Sequence, residues 1–368
     1  MRSISLCMIV RNEEDVLGRC LTSICDLVDE IIIVDTGSTD RTREVAARYT
    51  DKIFDFTWID DFAAARNYAF LQATGEYCMW LDADDVLEEM DRTAFREMRD
   101  NLPEDIDTVM MKYNIGFDSE DRPTFSYYRE RIVRNLHKPV WIGAVHEVIA
   151  PFGKIHYSEI AISHRKTRPS DPDRNLRIFE SQIAKGIALD PRQQFYYGRE
   201  LFYHNRLEDA IKVLKRYLDE EDGWIENVIE ACRFLALCYD QLGREREAIG
   251  ALLSTLAFAN PRAEVCCDIG KYFLEHGAYS QSAFWYELAL TRPRNDRSGA
   301  FVLPDCYDYL PSIQLAVVYD RMGDLVRANE YNERAGRIKP NAPAVLYNKD
   351  YFSKRLAPES ASPPSSED

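Results

Sequence analysis

The sequence predicts an α/β domain built on a parallel sheet, followed by an all-α domain of helical repeats. Over residues 1–170, short apolar runs alternate with segments of helical periodicity, which is the pattern of a parallel sheet covered by helices. Over residues 171–350 the apolar residues recur at helical spacing only, with breaks at Gly, Asn and Pro. Residues 351–368 are rich in Pro and Ser, and we expect this tail to be disordered because it has few apolar side chains to bury.

The composition argues against nucleic-acid-binding, membrane-spanning and secreted proteins. The 368 residues are enough for two domains with separate cores, and their net charge of −16 argues against a nucleic-acid partner, which requires a basic face. No apolar run approaches the roughly 20 residues that cross a membrane, and the start of the chain turns polar too soon for a signal peptide. The 9 cysteines show no CxxC spacing, so we expect reduced thiols in a cytoplasmic protein.

The first three predicted strands each end in polar residues and lead into a helix. The strands are Ser3–Val10, Glu30–Val34 and Lys52–Trp58, and the helices are predicted near Val16–Ile24, Arg41–Tyr49 and Phe62–Ala73. The polar residues at the strand ends are Arg11 and Asn12, Asp35 and Thr36, and Asp60 and Asp61. Ligands of parallel sheets bind beyond the carboxyl ends of the strands, so the sequence predicts that these side chains line one crevice.

A fourth strand, Tyr77–Leu81, ends in the acids Asp82, Asp84 and Asp85. Carboxylates grouped at a strand end repel one another unless a cation lies among them. A hard divalent ion takes oxygen ligands and suits a phosphate-bearing substrate, so this stretch predicts a metal–diphosphate site. The alternative is a solvated turn in which Asp84 or Asp85 caps a helix that begins near Leu87.

Four segments in order resemble successive motifs of the family 2 glycosyltransferases. They are Ser5–Glu14, Ile33–Thr42, Asp61–Asn67 and Trp80–Asp85. Enzymes of this family have the Rossmann-like GT-A fold and take sugars from nucleotide-activated donors. The resemblance covers the chain to about residue 165 and implies a hexosyltransferase that uses a UDP-sugar with Mn²⁺ or Mg²⁺.

The resemblance also implies roles for individual residues. Asp35 is expected to accept a hydrogen bond from the uracil ring, Asp82 to face the nucleoside, and Asp84 to ligate the metal. Many relatives carry a second acid where Thr36 stands, and a Pro in the first strand that is missing here. The remaining residues assigned to the nucleotide site are Asn12, Glu13 and Arg66, with an ordinary surface role as the alternative for the arginine.

Glu147 is the candidate general base. It lies in the stretch Trp141–Val148, between predicted strands. Sugar transfer with inversion needs a carboxylate that takes the acceptor's proton, and this residue is our assignment for that role. The neighbouring strands are predicted at Thr108–Phe117, Glu130–Arg134 and Ile160–His164.

For other side chains in this region, both a role in the site and a structural role are predicted. His146 and His164 are candidate metal ligands or donors to the diphosphate, with a satisfied core histidine as the alternative for each. Arg131 or Arg134 is a candidate for holding the leaving diphosphate, and Trp141 for stacking on a sugar. For these three, a structural role is the competing prediction.

The second half contains four segments with a shared pattern, which begin at Asn205, Gly243, Gly277 and Gly323. They resemble tetratricopeptide repeats, whose period is about 34 residues. Such repeats stack into a solenoid whose concave face suits peptides, and the alternative is a structural extension or a surface for homodimer formation.

The combination of the two domains resembles the sublancin-type peptide glycosyltransferases. It favours a peptide or protein Ser, Thr or Cys as acceptor, with a lipopolysaccharide or other glycan as the alternative acceptor. A second class is a non-catalytic repeat scaffold. A third arises because Asp82–Val86 matches the DxDxV motif of haloacid-dehalogenase-type phosphatases, but that motif is expected on a first strand.

Overall fold

The computed structural model describes residues 2–118, 120–138, 140–169, 171–220 and 222–356. The chain divides into two compact units, Met1–Leu201 and Phe202–Asp368. In the described residues, no helix is both long enough and apolar enough to cross a membrane.

The described part of the first unit contains an eight-stranded sheet and a short separate hairpin, in the order β3-β2-β1-β4-β7-β6-β10-β5 for the sheet and β8-β9 for the hairpin. In chain order the strands are β1 (Ile4–Val10), β2 (Glu30–Asp35), β3 (Ile53–Asp55), β4 (Tyr77–Trp80), β5 (Asp85–Leu87), β6 (Thr108–Phe117), β7 (Pro123–Arg134), β8 (Trp141–Ile142), β9 (Val148–Ile149) and β10 (Ile155–His164). The first four strands are parallel to one another, as predicted. The sheet as a whole is mixed, because β7 runs antiparallel to both β4 and β6.

Helices cover both faces of this sheet. In chain order the helices up to the end of this unit are α1 (Leu17–Ile24), α2 (Thr42–Ala46), α3 (Phe62–Leu71), α4 (Glu89–Asn101), α5 (Arg174–Ala184) and α6 (Pro191–Tyr203). Of these, α1, α2 and α4 contribute to the apolar cluster on one face of the sheet and α3 to the cluster on the other. The strands alternate between two apolar clusters, with Leu6 and Met8 of β1 in one and Cys7 in the other. The α/β prediction is therefore confirmed, and the period of two along β1 explains why helices are needed on both sides.

A helix follows the acidic turn, as predicted near Leu87, but the predicted capping role of Asp84 or Asp85 is wrong. Asp85–Leu87 form the edge strand β5, which pairs antiparallel with β10, and α4 begins two residues later at Glu89. Neither Asp84 nor Asp85 caps that helix, since its N-cap position is Glu88. The physical reason is burial: Leu87 is 1% exposed in the core, and Asp85 is fully buried against side chains of the sheet.

The described part of the second unit is helical. The helices are α7 (Leu207–Asp219), α8 (Ile225–Gln241), α9 (Glu245–Ser254), α10 (Ala263–Glu275), α11 (Tyr279–Ala289), α12 (Tyr309–Arg321), α13 (Leu325–Ile338) and α14 (Pro343–Arg355), with 3₁₀ turns at Thr255–Ala257 and Pro304–Tyr307. The residue that opens each predicted repeat has a positive φ and precedes a helix: Asn205 (56°), Gly243 (69°), Gly277 (70°) and Gly323 (83°). Five positions later each repeat buries a small side chain: Ala210, Ala248, Ser282 and Ala328. The repeat pattern therefore sets both the turns and the close packing of these helices.

The predicted domain limits differ from the structure at both ends of the helical domain. The boundary at residues 170 and 171 separates strands from helices, whereas the compact units divide between Leu201 and Phe202, so α5 and nearly all of α6 belong with the sheet. Residues 351–355, assigned to the disordered tail, lie in α14, because Phe352 is 2% exposed and packs in the helical core. The rest of the predicted tail, residues 357–368, lies outside the described residues.

Candidate functional site

A cavity of about 1040 Å³ opens in the first unit where β1, β2 and β4 end. It is lined by eight of the nine residues assigned to the nucleotide, metal and base sites, together with Arg11, Thr36 and Asp60 from the strand ends. The predicted site residues along it are Asn12, Glu13, Arg66, Asp82, Asp84, His146, Glu147 and His164. Asp35 is the predicted residue that is not among them, since it is 3% exposed at the end of β2.

Asp35 and Asn12 organise the backbone beside the cavity. Oδ1 of Asp35 accepts hydrogen bonds from the backbone N–H groups of Gly37 (3.2 Å) and Ser38 (2.9 Å), and its Oδ2 lies 3.2 Å from Nη1 of Arg43. Asn12 has a φ of 57°, and its Oδ1 accepts a hydrogen bond of 2.8 Å from the N–H of Thr39. The two side chains therefore shape the loops that follow β1 and β2.

Arg66 joins two acids of the cavity. Its Nη2 donates to Oδ1 of Asp82 and its Nε to Oε1 of Glu147, both at 2.7 Å. The guanidinium lies 5.1 Å from the ring centroid of Trp80 and 4.9 Å from that of Trp141. Burial acts to raise the pKa of Asp82, but the guanidinium outweighs it and lowers that pKa to about 2. Arg66 therefore holds both carboxylates in place and stabilises their negative charge.

Trp141 has a structural role. Its indole is 4% exposed and packs edge-on against Trp80 and Phe70, with ring centroids 5.1 and 5.8 Å away. It is not among the residues that line the cavity. The prediction that it stacks on a sugar is therefore wrong, because the ring is used to bury the Arg66 guanidinium.

Asp85 and Arg131 form an ion pair beneath the acidic turn. Both side chains are fully buried, and Nη1 of Arg131 lies 3.0 Å from Oδ2 of Asp85. The guanidinium lies 3.9 Å from the ring centroid of Trp80 and 4.3 Å from that of Tyr113, whose hydroxyl donates to Oδ1 of Asp85 at 2.9 Å. The backbone N–H of Asp82 donates to Oδ2 of Asp85 at 3.0 Å, so this pair fixes the turn that carries the cavity acids.

Neither arginine proposed for the diphosphate reaches the cavity. Arg131 is committed to Asp85, and Arg134, the last residue of β7, pairs with Tyr77 at the start of β4, the end away from the cavity. Its Nε lies 2.7 Å from Oδ1 of Asp107. Four basic side chains that the sequence reasoning did not select line the cavity instead: Lys166, Arg168, Arg174 and Arg177. The signal for the first two was the basic run that follows His164, and for the other two their one-turn spacing at the start of α5.

A potential metal site lies at the acidic turn. Oxygen atoms of Asp84 and Asp85 and a ring nitrogen of His164 lie within 4.8 Å of one another. Burial acts to lower the pKa of His164, but the two carboxylates outweigh it and raise that pKa to about 10. They therefore favour a positive charge at this point, and a donor set of carboxylates with an imidazole fits Mn²⁺ or Mg²⁺. Asp84 and His164 line the cavity, whereas Asp85 is already held by Arg131.

His146 is engaged by helix α6 rather than by this acidic cluster. Its Nε2 lies 2.7 Å from Oε1 of Glu200, and its ring stacks on Tyr196 at 4.3 Å with an interplanar angle of 15°. Burial lowers the pKa of His146. The metal-binding group in the described residues contains His164 and not His146.

Residues 5–152 match the family model described as glycosyl transferase family 2. The first unit contains a family 2 glycosyltransferase domain. The matched segment carries Asn12, Asp82, Asp84 and Glu147, and it ends before β10 and before helices α5 and α6. The cavity of this glycosyltransferase domain is therefore completed by residues that follow the family segment.

Three curated relatives are similar to parts of the chain. Glycosyltransferase SunS, derived from prophage SPbeta in Bacillus subtilis, is 28% identical over 63% of this chain and 58% of its own length. The lipopolysaccharide core biosynthesis glycosyltransferase LpsC of Rhizobium meliloti is 28% identical over 41% of this chain and 58% of its own. A TPR repeat-containing protein of Synechococcus elongatus is 49% identical over 28% of this chain and 25% of its own. The chain spans less than two thirds of each relative, and it joins a family 2 glycosyltransferase domain to tetratricopeptide repeats.

Proposed function

We propose that the chain is a metal-dependent, inverting glycosyltransferase that moves a hexose or N-acetylhexosamine from a UDP-sugar to an acceptor. One observation carries this proposal: a single cavity brings the acids that suit a metal-bound diphosphate together with Glu147, a carboxylate placed to act as a base. A non-catalytic scaffold has no need for such a set, because buried charges without a ligand are costly.

The donor side of the proposed reaction uses the strand ends. Asn12, Glu13 and Asp82 would contact the nucleotide, with Asp35 shaping the loop behind them rather than lining the cavity. Asp84 and His164 would hold Mn²⁺ or Mg²⁺ with the diphosphate, and Lys166 and Arg168 add positive charge nearby. A divalent cation there offsets the negative charge that develops on the departing diphosphate.

Glu147 would activate the acceptor. Its carboxylate takes the proton of an acceptor O–H or S–H group while the acceptor atom forms a bond to the anomeric carbon of the sugar. The bond from that carbon to the diphosphate breaks, and UDP leaves with the electron pair. Attack opposite the leaving group inverts the anomeric configuration. Arg66 supports this role because its Nε donates to Oε1 of Glu147 at 2.7 Å and fixes the carboxylate, with the two side chains 8% and 13% exposed.

A peptide or protein acceptor is the proposal for the repeat half. Stacked tetratricopeptide repeats present extended surfaces that suit peptides, and two arginines of α5 line the cavity. A homodimer formed through the repeats and a glycan acceptor are the other predictions. We place the reaction in the cytoplasm, where the 9 cysteines, all of them free, remain reduced.

The donor site is tested by calorimetry with UDP, GDP, UDP-glucose and UDP-N-acetylglucosamine, each with and without Mn²⁺. We expect UDP ligands to bind only with Mn²⁺, and Asp84→Ala to weaken that binding by at least tenfold because it removes a carboxylate ligand. Asp51→Ala, an exposed acid outside the cavity, is the matched control. Failure of the wild type to bind any nucleotide would contradict the proposal.

The base is tested by Glu147→Gln, which keeps the size of the side chain but removes the proton acceptor. We expect UDP release from the bound donor to fall by about 10²–10⁴-fold, the usual contribution of a general base, with UDP affinity changed by less than threefold. Glu97→Gln, on the exposed face of α4, is the control. An unchanged rate of UDP release would show that another group accepts the proton.

A further inference from the structure

We propose that helices α5 and α6 position Glu147 through His146, so that Glu200, Tyr196 and Arg192 are positioning residues of the glycosyltransferase site. The inference rests on the proposed function of Glu147 as the base. These helices lie beyond residues 5–152, which match the family model, and the sequence alone assigned them to the repeat half.

The loop that carries Glu147 contains two residues with a positive φ, Gly143 and His146. Gly143 has a φ of 94°, and a Cβ at this position would lie 3.3 Å from the carbonyl oxygen of Val145 and 3.6 Å from the Cα of Glu147. His146 has a φ of 51°, which is uncommon for a residue with a side chain and persists only where the surroundings hold it. The conformation of His146 sets the direction in which the next residue, Glu147, leaves the loop.

Helix α6 holds His146 by three different contacts. The ring stacks on Tyr196 at 4.3 Å, Nε2 lies 2.7 Å from Oε1 of Glu200, and the backbone carbonyl accepts a hydrogen bond from Nη2 of Arg192 at 3.2 Å. Glu200 is 7% exposed, and its Oε1 also accepts a hydrogen bond from Nδ2 of Asn175 on α5 at 3.2 Å. Burial and these two hydrogen bonds fix the carboxylate of Glu200 in place, and the carboxylate in turn fixes the position of the His146 imidazole.

Helix α3 holds the same loop from the other side. The N–H of Phe62 donates to the carbonyl of Ala144 at 2.8 Å, and Arg66 binds the carboxylate of Glu147 directly. Loss of Glu200 would therefore release the loop at His146 while Arg66 keeps its contacts with Asp82 and Glu147. Because a catalytic group displaced by about 1 Å can lose about 100-fold in rate, the effect should fall on the chemical step rather than on donor binding.

The experiment compares the wild-type full chain with Glu200→Ala, Glu200→Gln and Tyr196→Leu. Hydrogen exchange of the amides of residues 143–147 reports on the loop. UDP release from UDP-glucose or UDP-N-acetylglucosamine with Mn²⁺, where water serves as the acceptor, reports on the base. Calorimetry with UDP and Mn²⁺ gives donor affinity. Glu97→Ala is the matched control, since this glutamate is exposed on α4.

We expect Glu200→Ala to speed exchange of these amides at least tenfold and to slow UDP release 10- to 100-fold, while donor affinity changes by less than threefold. Glu200→Gln retains an acceptor oxygen for the imidazole and should restore both readouts to within about threefold of the wild type. Tyr196→Leu should show an intermediate loss, and it tests the same support if Glu200→Ala does not fold.

Two results would overturn the inference: unchanged exchange in residues 143–147 of both Glu200→Ala and Tyr196→Leu, or a loss of rate accompanied by an equal loss of donor affinity. The proposed function fails separately, if the wild type neither binds nor hydrolyses a UDP-sugar. In that case the exchange measurement still decides whether α6 holds the loop.

Discussion

Arg131 carries a full charge in the interior of the sheet. Its side chain and that of Asp85 are both completely buried, and the guanidinium lies between the rings of Trp80 and Tyr113. Desolvation of two charges is costly, and it is offset here by the ion pair, the ring contacts and the hydrogen bonds to Asp85. The pair is therefore a weak source of net stability but a strong constraint on the turn that holds Asp82 and Asp84.

Replacement of Arg131 by Met tests this constraint. We expect the free energy of unfolding of the first unit to fall by about 3–5 kcal/mol, because Asp85 would remain buried without its cation. Urea unfolding followed by tryptophan fluorescence measures the change. Arg41→Met is the matched control, since that side chain is 75% exposed and its ion pair with Glu14 is screened by solvent, so little change is expected.

The double variant Arg131→Met with Asp85→Asn separates charge from packing. With both charges removed, much of the lost stability should return, because no uncompensated ion is left in the core. Equal destabilisation by the single and double variants would mean that packing around the guanidinium, and not the ion pair, holds this part of the sheet together.

Two glycines of one repeat, one in the turn before α9 and one inside that helix, allow the backbone requirement of the turn to be tested. Gly243 precedes α9 with a φ of 69°, whereas Gly250 lies inside α9, and neither has a neighbouring atom within 4 Å of an added Cβ. We expect Gly243→Ala to lower the free energy of unfolding by about 1 kcal/mol through backbone strain. Gly250→Ala should raise it by about 0.5–1 kcal/mol through helix propensity. Thermal unfolding of each variant is the measurement, and changes of the same sign would contradict the turn assignment.

Glu30 links three segments at the start of β2. It pairs with Lys52 before β3, accepts a hydrogen bond from Ser5 of β1, and accepts one of 2.9 Å from the N–H of Thr74 before β4. Burial acts to raise the pKa of Glu30, but these partners outweigh it and lower that pKa to about 2. A carboxyl group whose pKa is lower in the folded state stabilises the protein above its ordinary pKa of 4.5, and this contribution is lost as the pH falls toward 2.

Glu30→Gln tests that linkage. Near pH 7 the variant should be less stable by about 1–2 kcal/mol, a value reduced for solvent screening because Lys52 is half-exposed. The difference from the wild type should shrink as the pH is lowered from about 4.5 to 2. Urea unfolding across this range measures it, with Glu97→Gln as the control. A difference that is independent of pH would contradict an ionic role for Glu30.

The first unit is the part of the whole chain for which independent folding is expected. Residues 1–201 include the sheet, its two apolar clusters and the helices α5 and α6, which bury Leu176, Phe179, Phe195 and Leu201. The predicted boundary at residue 170 would remove those helices together with the contacts of His146.

Two truncated chains test this division. A chain of residues 1–201 should unfold cooperatively and bind UDP with Mn²⁺ within about fivefold of the full chain. A chain of residues 1–170 should be less stable, because it loses the contacts of Tyr196 and Glu200 with His146 and of Arg174 with Phe62. Circular dichroism and calorimetry provide the comparison, and equal behaviour of the two truncated chains would show that α5 and α6 are dispensable to the first unit.

Short-range patterns in the sequence were sufficient for much of this protein. The apolar run of β1, the acids at the end of β4 and the Asn or Gly that opens each repeat depend on neighbouring residues, so they predict a strand, a polar strand end and turns before any contact is known. The predicted cap at Asp84 or Asp85 is wrong because Asp85–Leu87 pair with β10 as a buried strand, a distant contact that the local sequence does not show.

By itself, the sequence determined the α/β sheet domain, the helical repeats and the residue types that meet at the strand ends. Only the tertiary structure decided which charges pair: Arg131 lies 46 positions from Asp85, and Glu200 lies 54 positions from His146. The spacing of apolar residues indicates which face of a segment is buried and which is exposed. It does not indicate which distant side chain pairs with a buried charge. The partners of Asp85 and His146 are distant in sequence and are therefore identified only in the tertiary structure.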